Sequence, residues 1–206
     1  KARDLGLFPK AEGRKLVVSE GIDPKSSVQL QYFGSYRYTD EENLQLDALQ
    51  GILDIRLLER LREEESSVYG VGAGASYAKV PRERYSFGIY FNTSPQHVDQ
   101  LIASTLDEIG TLQSEGPDQV DVDKFVMEQK RLHELNIKDN GYWLGSISGA
   151  YLYGHDPMNI LYYPKQLEAV TVESVREAAN RYLIADRRYM FILLPEQRET
   201  ENNTTR

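Results

Sequence analysis

The sequence predicts an α+β fold of two layers, in which helices cover one face of a mostly antiparallel sheet. Two observations support this prediction. Two strand-like segments are joined by the short polar connection Ala78–Glu83, which is typical of a hairpin and therefore of antiparallel pairing. The segments of helix length are grouped between strands and do not alternate regularly with them, which favours one helical layer over a doubly wound parallel sheet.

Five segments are predicted strands, because apolar residues alternate with polar or small ones or form a short apolar run. The clearest alternation places Tyr85, Phe87, Ile89 and Phe91 on one face. The five predicted strands are Leu16–Val18, Val28–Tyr32, Val68–Tyr77, Arg84–Asn92 and Tyr189–Leu194.

The first long helix is predicted to begin after Thr39 and to continue to about Glu64. Thr39 is a suitable N-cap, and Glu42 three residues later completes the pattern of a capping box. The apolar surface is wider than one stripe, which predicts deep packing, perhaps against the sheet. Its apolar positions are Leu44, Leu46, Ala48, Leu49, Ile52, Leu53, Ile55, Leu57 and Leu58.

Four further helices are predicted. The first begins at Ser94–Pro95, and its apolar stripe runs from Val98 to Leu112. The second covers about Val122–Asn136, the third covers Tyr142–Tyr153, and Thr171 caps the last. The chain is therefore predicted to contain a linker or partial strand at residues 1–14, a single domain at 15–195, and a polar tail at 196–206.

Composition excludes several classes of function. The 206 residues carry a formal net charge of −8, which disfavours binding to nucleic acid or to an anionic membrane surface. No apolar run approaches the roughly 20 residues of a membrane span, so membrane insertion is not expected. The chain has no cysteine, which excludes disulfides and thiolate metal sites.

The histidines do not form a metal motif. Zinc in a catalytic site needs about three protein ligands, usually histidine and carboxylate. His97, His133 and His155 are too far apart in sequence to pair on one helix face, and His133–Glu134 is followed by Ile137 where a second histidine would be needed. We therefore expect no metal and no cofactor in this chain.

The glycine-rich run Gly70–Gly74 does not match a nucleotide-binding loop. A phosphate-binding fingerprint requires a strand, a glycine turn and then a helix, whereas these glycines alternate within one strand and a second strand follows. They are predicted to form one face of the strand, opposite Tyr69, Val71, Ala73, Ala75 and Tyr77. Close packing and contact with a bound peptide both remain open.

The 14 tyrosines of the chain are grouped in sequence, mainly at residues 32–38, 151–153 and 162–163. Such groups can form peptide-binding surfaces, but packing within the sheet and helices is the simpler interpretation.

The junction at Leu57–Gly72 carries the most specific signal. The long helix passes directly into a strand, and Arg62 and Tyr69 lie seven residues apart across the junction. From residue types alone, Arg62 is a surface arginine at a helix C-terminus and Tyr69 an ordinary strand tyrosine. The stretch resembles the C-terminal half of the pitrilysin/insulinase family of zinc metallopeptidases. Weaker similarity continues through Tyr85–Phe91, Pro95–Leu112 and Thr171–Pro195.

This resemblance implies a C-terminal domain that binds substrate and closes the chamber of a zinc peptidase, and that is inactive alone. Zinc is then expected in the missing N-terminal half, which belongs either to the same polypeptide or to a partner subunit. Arg62 and Tyr69 are the implied catalytic residues, the tyrosine donating a hydrogen bond to the peptide carbonyl oxygen and the arginine offering a fixed fork of donors. Peptides are the implied substrates, and bacterial relatives suggest the periplasm.

Two other functions remain open. The chain could be a non-catalytic structural or partner subunit of the same fold, or a free-standing peptide-binding module. The presence of both Arg62 and Tyr69 favours a part in proteolysis.

Overall fold

The computed structural model describes residues 3, 5–6, 8–10, 12–64 and 68–196. Within these residues it contains five strands and six α-helices. The strands are β1 (Lys15–Ser19), β2 (Ser26–Ser35), β3 (Val68–Ala78), β4 (Arg84–Thr93) and β5 (Arg188–Leu194). The helices are α1 (Asp40–Leu57), α2 (Val98–Ser114), α3 (Gln119–Asn136), α4 (Asn140–Tyr153), α5 (Asn159–Gln166) and α6 (Val172–Tyr182).

The strands form one sheet in the order β1-β5-β2-β4-β3. Only the pairing of β1 with β5 is parallel, and the other three neighbouring pairs are antiparallel. The predicted α+β architecture and all five predicted strands are confirmed. The hairpin between β3 and β4 also excludes the nucleotide-binding interpretation of the glycines, because a strand follows them where a helix would be required.

The core lies between one face of the sheet and the helices. Every second residue of β4 from Tyr85 to Thr93 is buried, and the alternate residues of β2 from Ser26 to Gly34 are buried in the same way. The apolar stripe predicted for α2 is confirmed, because Leu101 and Leu112 are fully buried. The wide apolar surface of α1 is also largely buried, although Leu58 is exposed at its end.

The N-terminus of α1 differs from the prediction in one respect. Thr39 caps the helix by accepting a hydrogen bond from the Glu42 N–H at 3.2 Å. Glu42 does not return a bond to the Thr39 backbone, so the predicted capping box is only half formed. Its buried carboxylate instead accepts hydrogen bonds from Arg181 and Tyr182 of α6. An ion pair between two helices has replaced a local interaction.

The C-terminal part of the predicted first helix is not α-helical. Residues Leu58–Glu64 form a π-helical segment that continues α1. Such segments occur often at functional sites. The apolar pattern predicted a helix here but could not distinguish the two geometries.

Helix α1 also covers the free edge of the sheet. β3 is an edge strand, and the Ala73 N–H donates to Oδ1 of Asp54 at 2.8 Å while the Ala73 carbonyl accepts from Nε2 of Gln50 at 3.1 Å. The two side chains satisfy edge groups that would otherwise be free to pair with another strand.

The predicted linker at 1–14 and tail at 196–206 fall partly outside the described residues. The described positions among residues 3–14 form no strand, and the Arg14 carbonyl accepts a hydrogen bond from the Met190 N–H at 2.7 Å. Of the predicted tail, only Glu196 is described. The predicted domain boundaries therefore stay predictions.

Candidate functional site

The π-helical segment holds Arg62 at the surface. Leu57 and Leu61 are fully buried and anchor the segment in the core. Arg62, the next residue, is exposed. Among the described residues it makes no hydrogen bond and no ion pair.

The neighbouring arginines are engaged in a network with α2. Arg56 and Arg60 both bind the buried carboxylate of Glu108, and Arg60 also bonds Asp107 at 2.7 Å. Arg56 extends the network to Asp121 of α3 at 3.2 Å. Burial alone would lower the pKa of Arg56, but the carboxylates of Glu108 and Asp121 raise it above its usual value. The network fixes the backbone on which Arg62 is carried.

Tyr69 lies in a β-bulge at the start of β3. Val68 pairs with Thr93 and Gly70 pairs with Asn92, so Tyr69 has no partner residue on β4. The prediction placed Tyr69 on the same face as Val71, Ala73, Ala75 and Tyr77, and this is wrong for Tyr69 because the bulge interrupts the alternation. A bulge redirects a side chain, and it is a feature that spacing along the sequence does not reveal.

The Tyr69 side chain is 66% exposed, and its hydroxyl bonds no described residue. Lys25, which precedes β2, places its ammonium group 5.7 Å from the centre of the Tyr69 ring. Sequence reasoning missed Lys25, since it lies 44 residues away from Tyr69 and belongs to no motif.

Arg62 and Tyr69 are therefore both exposed, and they lie on two elements that contact each other, the π-helical segment and β3. The residues 65–67 between the two elements lie outside the described residues. The catalytic roles of Arg62 and Tyr69 stay predictions.

The glycine face of β3 is the face opposite the core. The residues that pair with Gly70, Gly72 and Gly74 are Asn92, Tyr90 and Gly88, on the side of β4 away from its buried residues. A Cβ at Gly72 would meet the Tyr90 hydroxyl at 2.5 Å, whereas Gly70 and Gly74 face open space. Close packing thus accounts for Gly72 alone.

The histidines lie apart and have separate partners. His97 contacts Ser94 Oγ at 3.0 Å, His133 contacts the Tyr142 hydroxyl at 3.3 Å, and the ring of His155 contacts Asp40 at 2.6 Å. Within the described part of the chain, no three His, Asp or Glu residues are grouped so that they could hold a metal ion. The residues present do not fit a zinc site.

A second feature, the tyrosine pocket, was not predicted as a site. It is a cavity of about 300 Å³ between α1, α4 and α5, and its walls include Tyr38, Tyr77, Tyr153 and Tyr163, with Asp47 of α1 among them. Burial raises the pKa of the Asp47 carboxyl to about 6, against the opposing effect of a hydrogen bond from Tyr77. Burial likewise raises the pKa of the Tyr163 hydroxyl to about 12.

Buried packing accounts for part of the tyrosine groups, as predicted. Tyr32, Tyr36, Tyr85 and Tyr182 are buried in the core. Tyr151 and Tyr162, by contrast, are exposed on the helical layer.

Comparison with known families identifies the fold. The sequence model of the family described as the peptidase M16 inactive domain matches residues 2–128, more than half of the chain. The chain belongs to the M16 peptidase family. The family resemblance predicted from the junction at Leu57–Gly72 is thereby confirmed.

Two bacterial structures share the M16 fold. The periplasmic protease PqqL from Escherichia coli superposes with a TM-score of 0.78 at 20% identity, over 91% of this chain and 21% of that one. The peptidase M16 inactive domain from Pseudomonas fluorescens gives a TM-score of 0.76 at 20% identity, over 90% of this chain and 44% of that one. At these identities the likeness concerns the fold.

A curated relative is similar in sequence. A zinc protease PQQL-like protein from Arabidopsis thaliana is 27% identical over 153 residues, which cover 70% of this chain and 16% of the relative. The M16 chain described here thus spans about a sixth of that protein and about a fifth of PqqL. Within the described part of the chain, no helix combines the length and apolar character needed to cross a membrane.

Proposed function

We propose that this M16 domain binds peptide and closes the chamber of a zinc metallopeptidase whose metal is held by another half. That half is the N-terminal part of the same polypeptide or a partner subunit. The domain hydrolyses nothing alone. The periplasm, where PqqL is described, is the proposed compartment.

The proposal depends mainly on one observation: Arg56 and Arg60 form ion pairs within the fold, whereas Arg62 forms none with a described residue. Arg56 and Arg60 are used by the fold, in ion pairs with Glu108. Arg62 is exposed and makes no bond to a described residue, and the same holds for the Tyr69 hydroxyl. Because neither the Arg62 guanidinium nor the Tyr69 hydroxyl bonds a described residue, we infer that both can bind a substrate.

The chemistry of the two groups suits peptide hydrolysis. When water attacks a peptide carbonyl, negative charge develops on the carbonyl oxygen. A phenol aimed at that oxygen donates a hydrogen bond that strengthens in the transition state. The guanidinium of Arg62 offers several donors in a fixed plane, which suits peptide carbonyls or the same oxygen. The ammonium group of Lys25 adds positive charge beside the Tyr69 ring.

The substitution Tyr69→Phe in the assembled protease tests this role. We expect kcat for a fluorogenic peptide to fall by about 10²–10³-fold with little change in KM, because the lost hydrogen bond matters mainly in the transition state. Stopped-flow or steady-state fluorescence provides the measurement.

The matched control is Tyr151→Phe, since Tyr151 is an exposed tyrosine of α4, outside the proposed site. This change should leave both kcat and KM unaltered. If Tyr69→Phe behaves like Tyr151→Phe, the tyrosine has no part in the reaction.

An alternative function is that of a non-catalytic structural or partner subunit. The description of the matching family as an inactive domain favours this possibility. It predicts full turnover in the assembled protease after substitution of either Arg62 or Tyr69, provided that assembly itself is preserved in size-exclusion chromatography.

A further inference from the structure

The tyrosine pocket lies far from Arg62 and Tyr69. Tyr77, which contributes to its wall, is eight residues beyond Tyr69 on β3. At the rise of an extended strand, this is a separation of about 26 Å. The pocket and the proposed peptide site therefore lie at opposite ends of the strand and can be tested independently.

Aromatic rings form part of the wall of the cavity. The ring of Tyr38 lies 5.1 Å from that of Tyr153 and 5.8 Å from that of Tyr77, measured between centroids. Tyr163 of α5 contributes another part of the wall. The faces of such rings carry negative electrostatic potential and attract cations.

Asp47 supplies a carboxylate that the fold leaves without a counter-ion. Its described hydrogen bond comes from the Tyr77 hydroxyl at 3.1 Å. Among the residues that the structure describes, no Lys, Arg or His forms an ion pair with it. With its pKa near 6, the Asp47 carboxyl is mainly ionised at neutral pH. Asp47 is half-buried, and a carboxylate partly removed from water is stabilised by a cation that comes close to it.

The other acidic groups at the pocket have partners. Asp40 accepts hydrogen bonds from His155 and Asn159, and Asp156 accepts one from the Met158 N–H at 2.9 Å. Asp47 is thus the group of this cavity whose charge is not compensated by a described cation or local backbone contact.

Helix α4 leaves room beside the rings. Between Tyr142 and Tyr153, its wall of the pocket is formed by small residues, among them Gly145 and Gly149, and a Cβ built on either glycine would meet no atom within 4 Å. The space is therefore open to a short extended group that enters alongside α4.

One cation of the protein already lies against the aromatic wall. The Lys79 ammonium group is 5.9 Å from the centre of the Tyr38 ring and donates to the Tyr153 carbonyl at 2.6 Å. It forms no ion pair with Asp47, so the carboxylate remains available to a second cation.

We propose that the tyrosine pocket binds an organic cation, the ammonium or guanidinium head of a basic side chain or of a small amine, with Asp47 as the counter-ion and Tyr38 and Tyr77 as ring contacts. An anion would be repelled by the carboxylates, and a purely apolar ligand would leave the Asp47 charge uncompensated.

The experiment titrates n-butylammonium into the full 206-residue chain, labelled with ¹⁵N, and follows the amide signals of Gly145 and Gly149 at pH 7. A fragment of this size should bind with a Kd on the order of 1–10 mM. We expect saturable shifts at both glycines. Butan-1-ol, which has the same length without the charge, should produce none.

Substitutions then assign the counter-ion. Asp47→Asn keeps the shape of the side chain and should weaken the binding of n-butylammonium at least tenfold. Asp123→Asn removes a carboxylate that is exposed on α3 and should leave the binding unchanged. The ¹⁵N spectrum of each variant shows whether it is folded.

Further ligands distinguish the two sources of the cation. If Nα-acetyl-lysine methylamide binds as tightly as n-butylammonium, the pocket accepts a side chain of a polypeptide. If it fails while n-butylammonium binds, the pocket takes small amines.

The proposal is overturned if neither cation produces shifts up to about 50 mM, well above the expected Kd. Equal binding to the chain and to Asp47→Asn would also overturn it, as would equal binding of butan-1-ol. Tyr69→Phe should leave n-butylammonium binding unchanged, so failure of the proposed peptidase role would not affect this result.

Discussion

At the scale of single residues, two carboxylates of α1 have pKa values shifted in opposite directions. Burial raises the pKa of Asp47 to about 6, because its one described hydrogen bond from Tyr77 does not offset desolvation. Burial also acts to raise the pKa of Glu42, but hydrogen bonds from Tyr182 and Arg181 lower it below its ordinary value. The two residues should therefore affect stability with opposite dependence on pH.

We predict that Asp47→Asn stabilises the chain at pH 7, by about 1–3 kcal/mol. Between the unfolded pKa near 4 and the folded pKa near 6, the folded state holds more protons than the unfolded state. Stability of the unsubstituted chain therefore falls as pH rises through this window. Urea unfolding at pH 4 and pH 7 measures the effect, and the advantage of the variant should be much smaller at the lower pH.

Asp123→Asn is the control for this prediction, since Asp123 is exposed and lies on α3. A stabilisation by Asp47→Asn that is the same at both pH values would contradict the burial of an ionised carboxylate.

Glu42→Gln should have the reverse effect. At pH 7 we expect a loss of about 1–3 kcal/mol in the free energy of unfolding, because the buried carboxylate accepts charge-assisted bonds from α6. The folded pKa is depressed, so this stability is present above pH 4.5 and is lost as the pH falls below it. Thermal unfolding from pH 7 down to pH 3 should show the two proteins converging.

The exposed pair Glu128 and Arg131 provides a comparison on α3. Glu128→Gln should leave the melting temperature nearly unchanged at every pH. A loss for Glu42→Gln no larger than this would mean that the bonds to α6 do not stabilise the fold.

At the scale of secondary structure elements, the glycines of the sheet are not equivalent. A Cβ at Gly34 of β2 would meet the ring of Tyr85 at 2.5 Å. Tyr85 is buried and donates a hydrogen bond to the Tyr182 carbonyl at 2.8 Å, so its ring has little freedom to move. Gly74 of β3 faces open space.

Gly34→Ala should therefore lower the free energy of unfolding by about 1–3 kcal/mol, which is the usual cost of an added group in a packed core. Gly74→Ala is the matched control and should be neutral or slightly stabilising, because alanine is less flexible in the unfolded chain. Chemical denaturation of the two variants measures the change in the free energy of unfolding. Equal effects would mean that the sheet accommodates a methyl group beside Tyr85.

The strands also show where a prediction from the alternation of residues succeeds and where it fails. Alternation correctly predicted that Val71, Ala73, Ala75 and Tyr77 share a face, since all four pair with buried residues of β4. It failed at Tyr69, because one extra residue in the bulge ends the alternation. The sequence could not reveal this, since a bulge depends on the register with a partner strand.

At the scale of the whole molecule, ion pairs between arginines and carboxylates join the helices, whereas the histidines lie apart. The arginines of the helix end join α1 to α2 and α3 through Glu108 and Asp121. The histidines are distributed over separate contacts and do not converge. The described part of the chain thus has no group of residues that suits a metal.

Titration of the isolated chain with zinc should therefore reveal no tight site of one ion per chain. Calorimetry at neutral pH makes the measurement, and the assembled protease, in which zinc is proposed to lie in the other half, is the positive control. A tight stoichiometric site that is lost on substitution of His155 or His133 would contradict the division of roles between the two halves.

The sequence by itself determined the α+β class, the five strands and the family, because these follow from local periodicity and from the residues around Arg62 and Tyr69. The tertiary structure alone decided which groups are left free. The exposure of Arg62 depends on Leu61 being packed in the core, and the direction of Tyr69 depends on the pairing of β3 with β4. The tyrosine pocket brings together residues of α1, α4, α5 and β3 that are distant in sequence, so only the folded chain could reveal it.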